Sequence, residues 1–130
     1  MQYEEFIEQV RQRTALASAA EAEEAARATL TVLGEYLSGR QGLDLASQLP
    51  QRLAEVLRQQ PPDRSMIFSL NDFVQLVGEE ERVSDGEALA HACAVMGVLG
   101  EAVSGGEIED VRRQFPGEFG PLFELQGGVA

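Results

Sequence analysis

The chain has one cysteine and one histidine among its 130 residues, which limits how the fold can be stabilised and which reactions its side chains can catalyse. Because Cys93 has no second cysteine to pair with, no disulfide can form within the chain, and the fold depends on a packed core. In the segment ALAHACAV the neighbours of Cys93 are small or apolar, and no basic residue stands beside it. This setting indicates a small buried residue rather than a reactive thiol.

Long hydrophobic runs are also missing. No stretch approaches the roughly 18 consecutive apolar residues of a membrane-spanning helix. The opening residues MQYEE are acidic and lack the basic region and apolar run of a signal peptide, so we expect a cytoplasmic location. With 44% hydrophobic and 25% charged residues, the composition is typical of one compact globular unit.

Positive charge is scarce. Lysine is absent, and ten arginines face 22 acidic residues, for a formal net charge of −12. Residues 1–64 carry seven arginines and ten acids, whereas residues 65–130 carry three and twelve. Binding to nucleic acid or to an anionic membrane needs a basic face, so we expect neither partner. The charge favours a protein partner with a basic surface.

What the chain does contain is a repeated pattern. The segment VLGEYLSG at residues 32–39 recurs as VLGEAVSG at residues 98–105, an offset of 66 residues. The same offset aligns QLP at 48–50 with QFP at 114–116, and near the start of each copy the offset becomes 67. We interpret this self-similarity as an internal duplication.

Hydrophobic periodicity predicts four helices in each copy and no strand. Tyr3, Phe6, Ile7 and Val10 follow the i, i+3, i+4, i+7 spacing of an amphipathic helix. The fold class is therefore all-α: two tandem four-helix repeats, related by a pseudo-two-fold duplication and packed into one compact helical unit. The long second helix of each copy, with its many small residues, is expected to be central.

Local signals mark where these helices start and stop. Serines begin the predicted helices with an acidic residue three positions later, which is capping-box spacing; they are Ser18, Ser69, Ser84 and Ser104. The third helix of each copy has to end before the proline of QLP or QFP. That proline suits the first turn of the fourth helix, where its missing N–H costs nothing.

These patterns divide the chain into four parts. Residues 1–59 form the first helical repeat, 60–65 a Pro-rich linker, 66–124 the second repeat and 125–130 a loose C-terminal tail. Residues 66–68 are apolar, and we expect them to pack where the two copies meet.

Several of these segments together resemble one protein family. The opening MQYEEFIEQV, the AEEA ahead of a long helix, VLGEYLSG and the QLP/QFP pair are similar to the bacterial domain of unknown function 2267 family. The resemblance covers Met1 to Phe123. It implies a tandem helical repeat in a bacterial cytoplasmic protein and no established activity, so no catalytic residue is carried over.

No constellation for catalysis or metal binding is visible. His91 has no serine or aspartate tied to it by spacing, and Cys93, two residues on, points to another helix face. The carboxylate runs at 79–81 and 107–110 lack the Glu-x-x-His pairs of helical di-iron sites, and we interpret them as solvated faces. We expect no catalytic, cofactor-binding or metal-binding residue, no cofactor and no enzymatic activity.

The polar residues that recur in both copies have a structural interpretation. Gln48 and Gln114 precede the proline in each copy, and Asp44 and Asp110 lie just before them. A side-chain amide there could tether the ends of two helices. The alternative is a pseudo-symmetric groove that uses both motifs as polar anchors.

The leading hypothesis is a non-enzymatic acidic scaffold or protein-interaction module. An alternative is a small apolar ligand held between helices, suggested by Phe115, Phe119 and Phe123; these residues also suit a core. Enzymatic activity ranks third and charge mimicry of DNA fourth. The oligomeric state stays open, a homodimer included. Differences between the copies, such as Tyr36 against Ala102 and Gln41 against Glu107, mark where function is to be sought.

Overall fold

The helices of the protein follow the predicted periodicity closely. A computed structural model describes residues 1–37, 39–58, 67 and 69–123, and within these ranges every regular element is helical. The α-helices are α1 (Tyr3–Gln12), α2 (Ala19–Tyr36), α3 (Gly39–Ala46), α4 (Gln51–Arg58), α5 (Leu70–Glu81), α6 (Asp85–Ala102), α7 (Gly105–Arg112) and α8 (Gly120–Phe123). A 3₁₀ turn, Gly117–Phe119, precedes α8. The all-α class is confirmed.

The predicted serine caps are present at four helix starts. The side chains of Ser18, Ser69, Ser84 and Ser104 each accept a hydrogen bond from the backbone N–H three residues ahead, at 3.1–3.2 Å. At Ser84 the box is complete, because the Glu87 carboxylate accepts a bond from the Ser84 N–H in return. These bonds satisfy N–H groups that have no partner within the helix.

The fourth helix of the second half begins less regularly than predicted. Where α4 is α-helical from Gln51 onward, the described part of its counterpart is the 3₁₀ turn followed by Gly120–Phe123 in α8. Gly117 and Gly120 are poor helix formers, and Pro121 has no N–H to donate, so a regular α-helix from the start of this segment is disfavoured. Pro50 and Pro116 each lie one residue before their helix rather than in its first turn.

One hydrophobic core runs through both halves of the molecule. The long helices α2 and α6 contact each other at its centre. Helix α1 packs on α2 and α6, while α5 packs on α6 and α2. Small buried residues, among them Ala22, Ala26, Ala88 and Ala92, let these helices approach closely. Helix α4 then packs on α2, α8 on α6, and α3 on α7.

Some predicted segments lie outside the described residues. These are the Pro-rich linker at 60–65, the tail at 125–130, and Ser38, Met66 and Phe68. Ile67 is described, and at 4% exposure it belongs to the common core, as expected for that apolar segment. Among the residues that the structure describes, no helix combines the length and apolar content needed to cross a bilayer.

Candidate functional site

A groove of about 600 Å³ lies between α1 and the start of α2, with one side chain from α4. We call it the first groove. Apolar atoms of Ile7, Ala19 and Ala20 line it together with three glutamates, Glu4, Glu8 and Glu23. Its remaining lining residues are Tyr3 and Arg52. An apolar surface is thus combined with carboxylates.

An arginine of the chain itself lies in the first groove. The guanidinium carbon of Arg52 is 4.2 Å from the centroid of the Tyr3 ring, in cation–π geometry. Arg52 Nη2 also donates to Glu23 Oε2 at 2.9 Å, and the Tyr3 hydroxyl donates to the same carboxylate oxygen. The carboxylate of Glu23 therefore has a cationic and a hydroxyl partner within the chain.

Glu8, on the other side of this groove, is held in its ionised form. Arg11 Nε donates to Glu8 Oε1 at 2.9 Å, and Gln12 Nε2 donates to Glu8 Oε2 at 3.2 Å. These hydrogen bonds, that of Arg11 first, lower the pKa of Glu8 from 4.5 to about 2. Glu8 accordingly remains an anion at every physiological pH.

A second groove, of about 470 Å³, lies between α5 and the start of α6. Its lining residues are Leu70, Asn71, Val74, Asp85, Gly86, Leu89 and Glu118. Each of them corresponds to a residue of the first groove when 67 is added to positions in α1 and 66 to later ones. The offset that aligns the two halves of the sequence therefore also aligns the two grooves.

The second groove differs from the first in its chemistry. Leu70 and Leu89 occupy the positions equivalent to Tyr3 and Glu23, and Glu118 replaces Arg52. Leu89 is 38% exposed, which is unusual for a leucine of this fold. Glu118 Oε2 accepts a hydrogen bond from the Leu70 N–H at 3.2 Å, which fixes this carboxylate over the start of α5. None of the described residues that line it is cationic.

Helices α3 and α7 meet through side-chain amides and a carboxylate. Gln48 Oε1 accepts from the Ser104 N–H at 2.7 Å, which confirms the predicted tethering role for Gln48. Gln41 Nε2 donates to Glu107 Oε2 at 2.6 Å, and Gln48 Nε2 donates to Glu107 Oε1 at 3.5 Å. Burial raises the pKa of Glu107, and the charges of Asp44 and Asp110 raise it further.

The other recurring polar residues take local positions. Gln114 lies in the turn after α7, where its backbone N–H donates to the Val111 carbonyl oxygen at 3.0 Å. Asp110 accepts a bond from Arg113 Nη1 at 2.7 Å, one turn further along the chain. Asp44 is exposed on α3.

His91 is buried and paired with a carboxylate. Its Nδ1 lies 2.6 Å from Glu81 Oε2, and the His91 and Glu81 side chains are only 8% and 4% exposed. The prediction of a solvated face at residues 79–81 is therefore wrong for Glu81, although Glu79 and Glu80 are exposed. The pair could not be predicted from the sequence, because its two residues lie on different helices, α5 and α6, and meet only when these helices pack.

The environment of Glu81 is unusual for a carboxylate. Its Oε1 is buried and has no hydrogen-bond partner. Burial raises the pKa of Glu81 above its ordinary value, the charge and hydrogen bond of His91 oppose this shift, and the charges of Glu24 and Glu87 add to it. Over the described part of the chain, no three His, Cys, Asp or Glu side chains form a group able to hold a metal ion.

Cys93 is less enclosed than predicted. It is half-buried, and its Sγ donates a weak hydrogen bond to the Pro121 carbonyl oxygen at 3.4 Å. This contact ties α6 to α8.

The three phenylalanines at the end of the second half have different roles. Phe119 is 1% exposed and belongs to the core. Phe115 stacks on Tyr36 with ring centroids 4.2 Å apart and lies 5.2 Å from Phe123. Phe115 and Phe123 also line a half-open cavity of about 300 Å³ together with Arg112 and Arg113. Tyr36 thus completes an aromatic cluster. The residue that corresponds to Tyr36 in the second half of the sequence is Ala102, which has no ring.

Comparison with known proteins gives a family but no characterised relative. No curated protein matches the chain. The model of the family described as "Uncharacterized conserved protein (DUF2267)" matches residues 3–122, nearly the whole chain. The protein therefore belongs to the DUF2267 family, as its sequence motifs predict.

Proposed function

We propose that the protein is a non-enzymatic, acidic helical module that binds a protein partner with a basic surface. The observation that carries this proposal is the pair of grooves at equivalent positions, each with an apolar floor and carboxylates at its edge. Concave surfaces of this kind are suited to holding side chains of a partner. The family resemblance adds a bacterial cytoplasm as the proposed setting.

The proposed architecture behind the grooves is a duplication of a four-helix unit. Helix α1 contacts α6, and the equivalent helix α5 contacts α2, so each half covers the other in the same way. Gln41 and Glu107 are equivalent positions 66 residues apart, and they hydrogen-bond to each other. A residue contacts its own equivalent only near a two-fold axis. These contacts support a pseudo-two-fold relation between α1–α4 and α5–α8.

The charge of the molecule supports a basic partner. The net charge is −12, and the groove edges carry Glu4, Glu8, Asp85 and Glu118. Negative potential around an apolar groove speeds the approach of a cationic partner and repels nucleic acid and anionic membranes. Salt weakens such attraction over a Debye length of about 8 Å at physiological ionic strength.

The test is capture of partners on the immobilised protein, followed by binding of each purified partner under a salt titration. We expect a partner with a basic contact surface, mapped by cross-linking, whose affinity falls as salt rises from about 0.05 to about 0.5 M. A double variant, Glu4→Gln with Glu118→Gln, should bind more weakly than Glu55→Gln with Glu79→Gln, which removes the same charge outside the grooves. Salt-independent binding, or turnover of a small molecule by the pure protein, would refute the proposal.

A second candidate function is binding of a small apolar or aromatic molecule. It is favoured by the cavity of about 300 Å³ lined by Phe115 and Phe123, whose polar lining residues include Glu109, Arg112 and Arg113. Volumes near 300 Å³ are at the lower end of small-molecule sites. A ligand at a hundredfold excess over its Kd would stabilise the fold by about 2.7 kcal/mol. We expect a panel of small apolar and aromatic molecules to raise the melting temperature of the wild type but not of Phe123→Ala, and an unresponsive wild type would eliminate this candidate.

A further inference from the structure

We infer that the second groove, and not the first, is the docking site for a basic amphipathic helix of another protein. In this assignment an apolar side chain of that helix inserts between Leu70, Val74 and Leu89. Arginine or lysine side chains on its flanks pair with Asp85 and Glu118. The inference rests on the proposed function and names the site and the chemistry of the partner.

The first groove shows which side chains can bind in a groove between helices arranged in this way. There Arg52 lies flat over the Tyr3 ring at 4.2 Å and donates to Glu23 at 2.9 Å. A cation thus occupies the space between an aromatic or apolar wall and a carboxylate. Because the chain supplies this cation itself, Glu23 already has an internal cationic partner, and Glu8 is likewise paired with Arg11.

The second groove has the same arrangement of helices, and its described lining residues include no equivalent cation. Glu118 stands in the position of Arg52, and its Oε2 is fixed by the Leu70 N–H at 3.2 Å. In the second groove Leu70 and Leu89 take the places that Tyr3 and Glu23 have in the first. The second groove therefore has an apolar surface beside carboxylates. A partner protein that brings one apolar and one cationic side chain would complement this surface.

The exposed leucine supports an apolar anchor. Leu89 is 38% exposed, although most large apolar side chains that the structure describes lie in the core. Burying an exposed leucine is favourable by about 25 cal/mol for each Å² removed from water. A helix in such a groove presents anchors at i, i+3 or i+4 and leaves its flanks for charge pairing.

Charge complementarity selects a protein helix over other occupants. A phosphate-rich surface, whether a nucleic acid or a phospholipid headgroup layer, would bring anions against Asp85 and Glu118. A second copy of this chain would bring another net charge of −12. A basic helix alone satisfies both the carboxylates and Leu89.

The probe for the experiment is a fluorescein-labelled amphipathic helix of about four turns, with leucines on one face and arginines on both flanks. Its affinity for the full chain is measured by fluorescence anisotropy at low and at physiological salt. Leu89→Ala should weaken binding about tenfold, as expected for a central apolar anchor. Its matched control is Leu43→Ala, which truncates a helical leucine outside the groove that is more exposed than Leu89, 57% against 38%, and should change affinity less than twofold.

A second pair of variants tests the charge. Glu118→Gln keeps an oxygen for the Leu70 N–H and removes the charge, and we expect about a fivefold weaker complex. Glu55→Gln removes one exposed charge from α4 and should have little effect. Circular dichroism and thermal melting of all four variants establish that each is folded before binding is compared.

Each outcome separates the groove assignment from the proposed function. Losses confined to Leu89→Ala and Glu118→Gln support the assignment. Equal losses in the controls, with salt-dependent binding retained by the wild type, overturn the groove assignment and leave the acidic interaction module standing. Absence of probe binding, tighter binding to anionic vesicles than to the probe, or a dimer that Leu89→Ala dissociates in light scattering would each overturn the inference.

Discussion

The two grooves occupy equivalent positions on equivalent helices, yet three pairs of corresponding side chains differ in charge or polarity. The first groove contains Tyr3, Glu23 and Arg52, which bind one another. At the corresponding positions of the second are Leu70, Leu89 and Glu118, which leave an apolar patch beside a carboxylate. Helix packing determines where a groove lies, because it follows from backbone positions. These three differences then change the chemistry of the groove surface.

The buried pair of Glu81 and His91 shows the same division between the halves. The position equivalent to His91 is Ala25, which is fully buried in the core of the first half. The first half thus fills this site with a small apolar residue, whereas the second places a titratable pair there. The stability of the second half should therefore depend more strongly on pH.

The largest expected effect comes from testing whether the halves share one core. Leu53 and Phe119 are equivalent positions, and both are almost completely buried. Truncation to alanine leaves a cavity, and we expect losses in unfolding free energy of about 2–5 kcal/mol for Leu53→Ala and about 3–5 kcal/mol for Phe119→Ala. Denaturant unfolding by circular dichroism should stay a single transition in both variants. Two separated transitions would show instead that each half has an independent core.

The second-largest effect on stability is expected from the buried pair of Glu81 and His91. His91→Ala removes the partner of Glu81 and leaves a buried carboxylate uncompensated, so we expect a loss of about 2–4 kcal/mol at pH 7. The loss should shrink at acid pH, because a protonated Glu81 no longer needs a cationic partner. Chemical denaturation at several pH values measures both quantities. Ala25→Gly, a small-residue change at the equivalent site, should lack this pH dependence, and a pH-independent loss in His91→Ala would contradict the pairing.

A smaller effect is the pH dependence of the intact protein. Since burial raises the pKa of Glu81 in the folded state, its contribution to stability is complete below the ordinary value of 4.5 and is lost as pH rises through the raised pKa. Glu87, whose pKa is lowered by the hydrogen bonds from Ser84, contributes in the opposite sense: its contribution is present above 4.5 and is lost on acidification.

Glu81→Gln should therefore remove a component of stability that falls with rising pH, and Glu87→Gln a component that rises with it. Urea denaturation between about pH 4 and pH 7.5, the range around the ordinary carboxyl and imidazole pKa values, measures both slopes. Identical slopes in the two variants would refute the assignment of opposite signs.

The smallest effect is expected in the first groove. Arg52 and Glu23 are 62% and 30% exposed, so Arg52→Ala should lower stability by less than about 1 kcal/mol even with the loss of the contact to Tyr3. The difference in melting temperature between Arg52→Ala and the wild type should become smaller still at high salt. In anisotropy measurements Arg52→Glu should also create a second weak site for the basic helix, since it removes the internal cation and gives position 52 the charge of Glu118. An unchanged binding stoichiometry would show that charge at this position does not select the occupant.

The parts of the fold that could be predicted depend on residues close together in sequence. Ser18, Ser69, Ser84 and Ser104 begin helices as predicted, because a cap involves a side chain and an N–H three residues away. The tethering role of Gln48 was also predictable, since it lies beside a proline that breaks the helix. The 3₁₀ turn before α8 was not predicted, because the apolar spacing of Phe119 and Phe123 is that of a regular α-helix.

Other features depend on residues that are distant in sequence. Nothing near Glu81 distinguishes it from the exposed Glu79 and Glu80, and only the packing of α6 against α5 makes it buried. Cys93 has the neighbours of a core residue but is half-buried, because its exposure depends on α8, which packs on α6 from a later part of the sequence. The grooves follow the same principle: Tyr3, Glu23 and Arg52 come from three helices, and no local pattern links them.

The amino-acid sequence by itself determined the helical class, the helix starts and the family, since these follow from periodicity, capping residues and motifs read over a few turns. It also showed that several motifs recur at an offset of 66 or 67 residues. Only the tertiary structure decided which corresponding positions face a common groove, which carboxylate is buried and which leucine is left exposed. Those properties are sums over neighbours contributed by several helices, and the identity of a residue does not specify its neighbours.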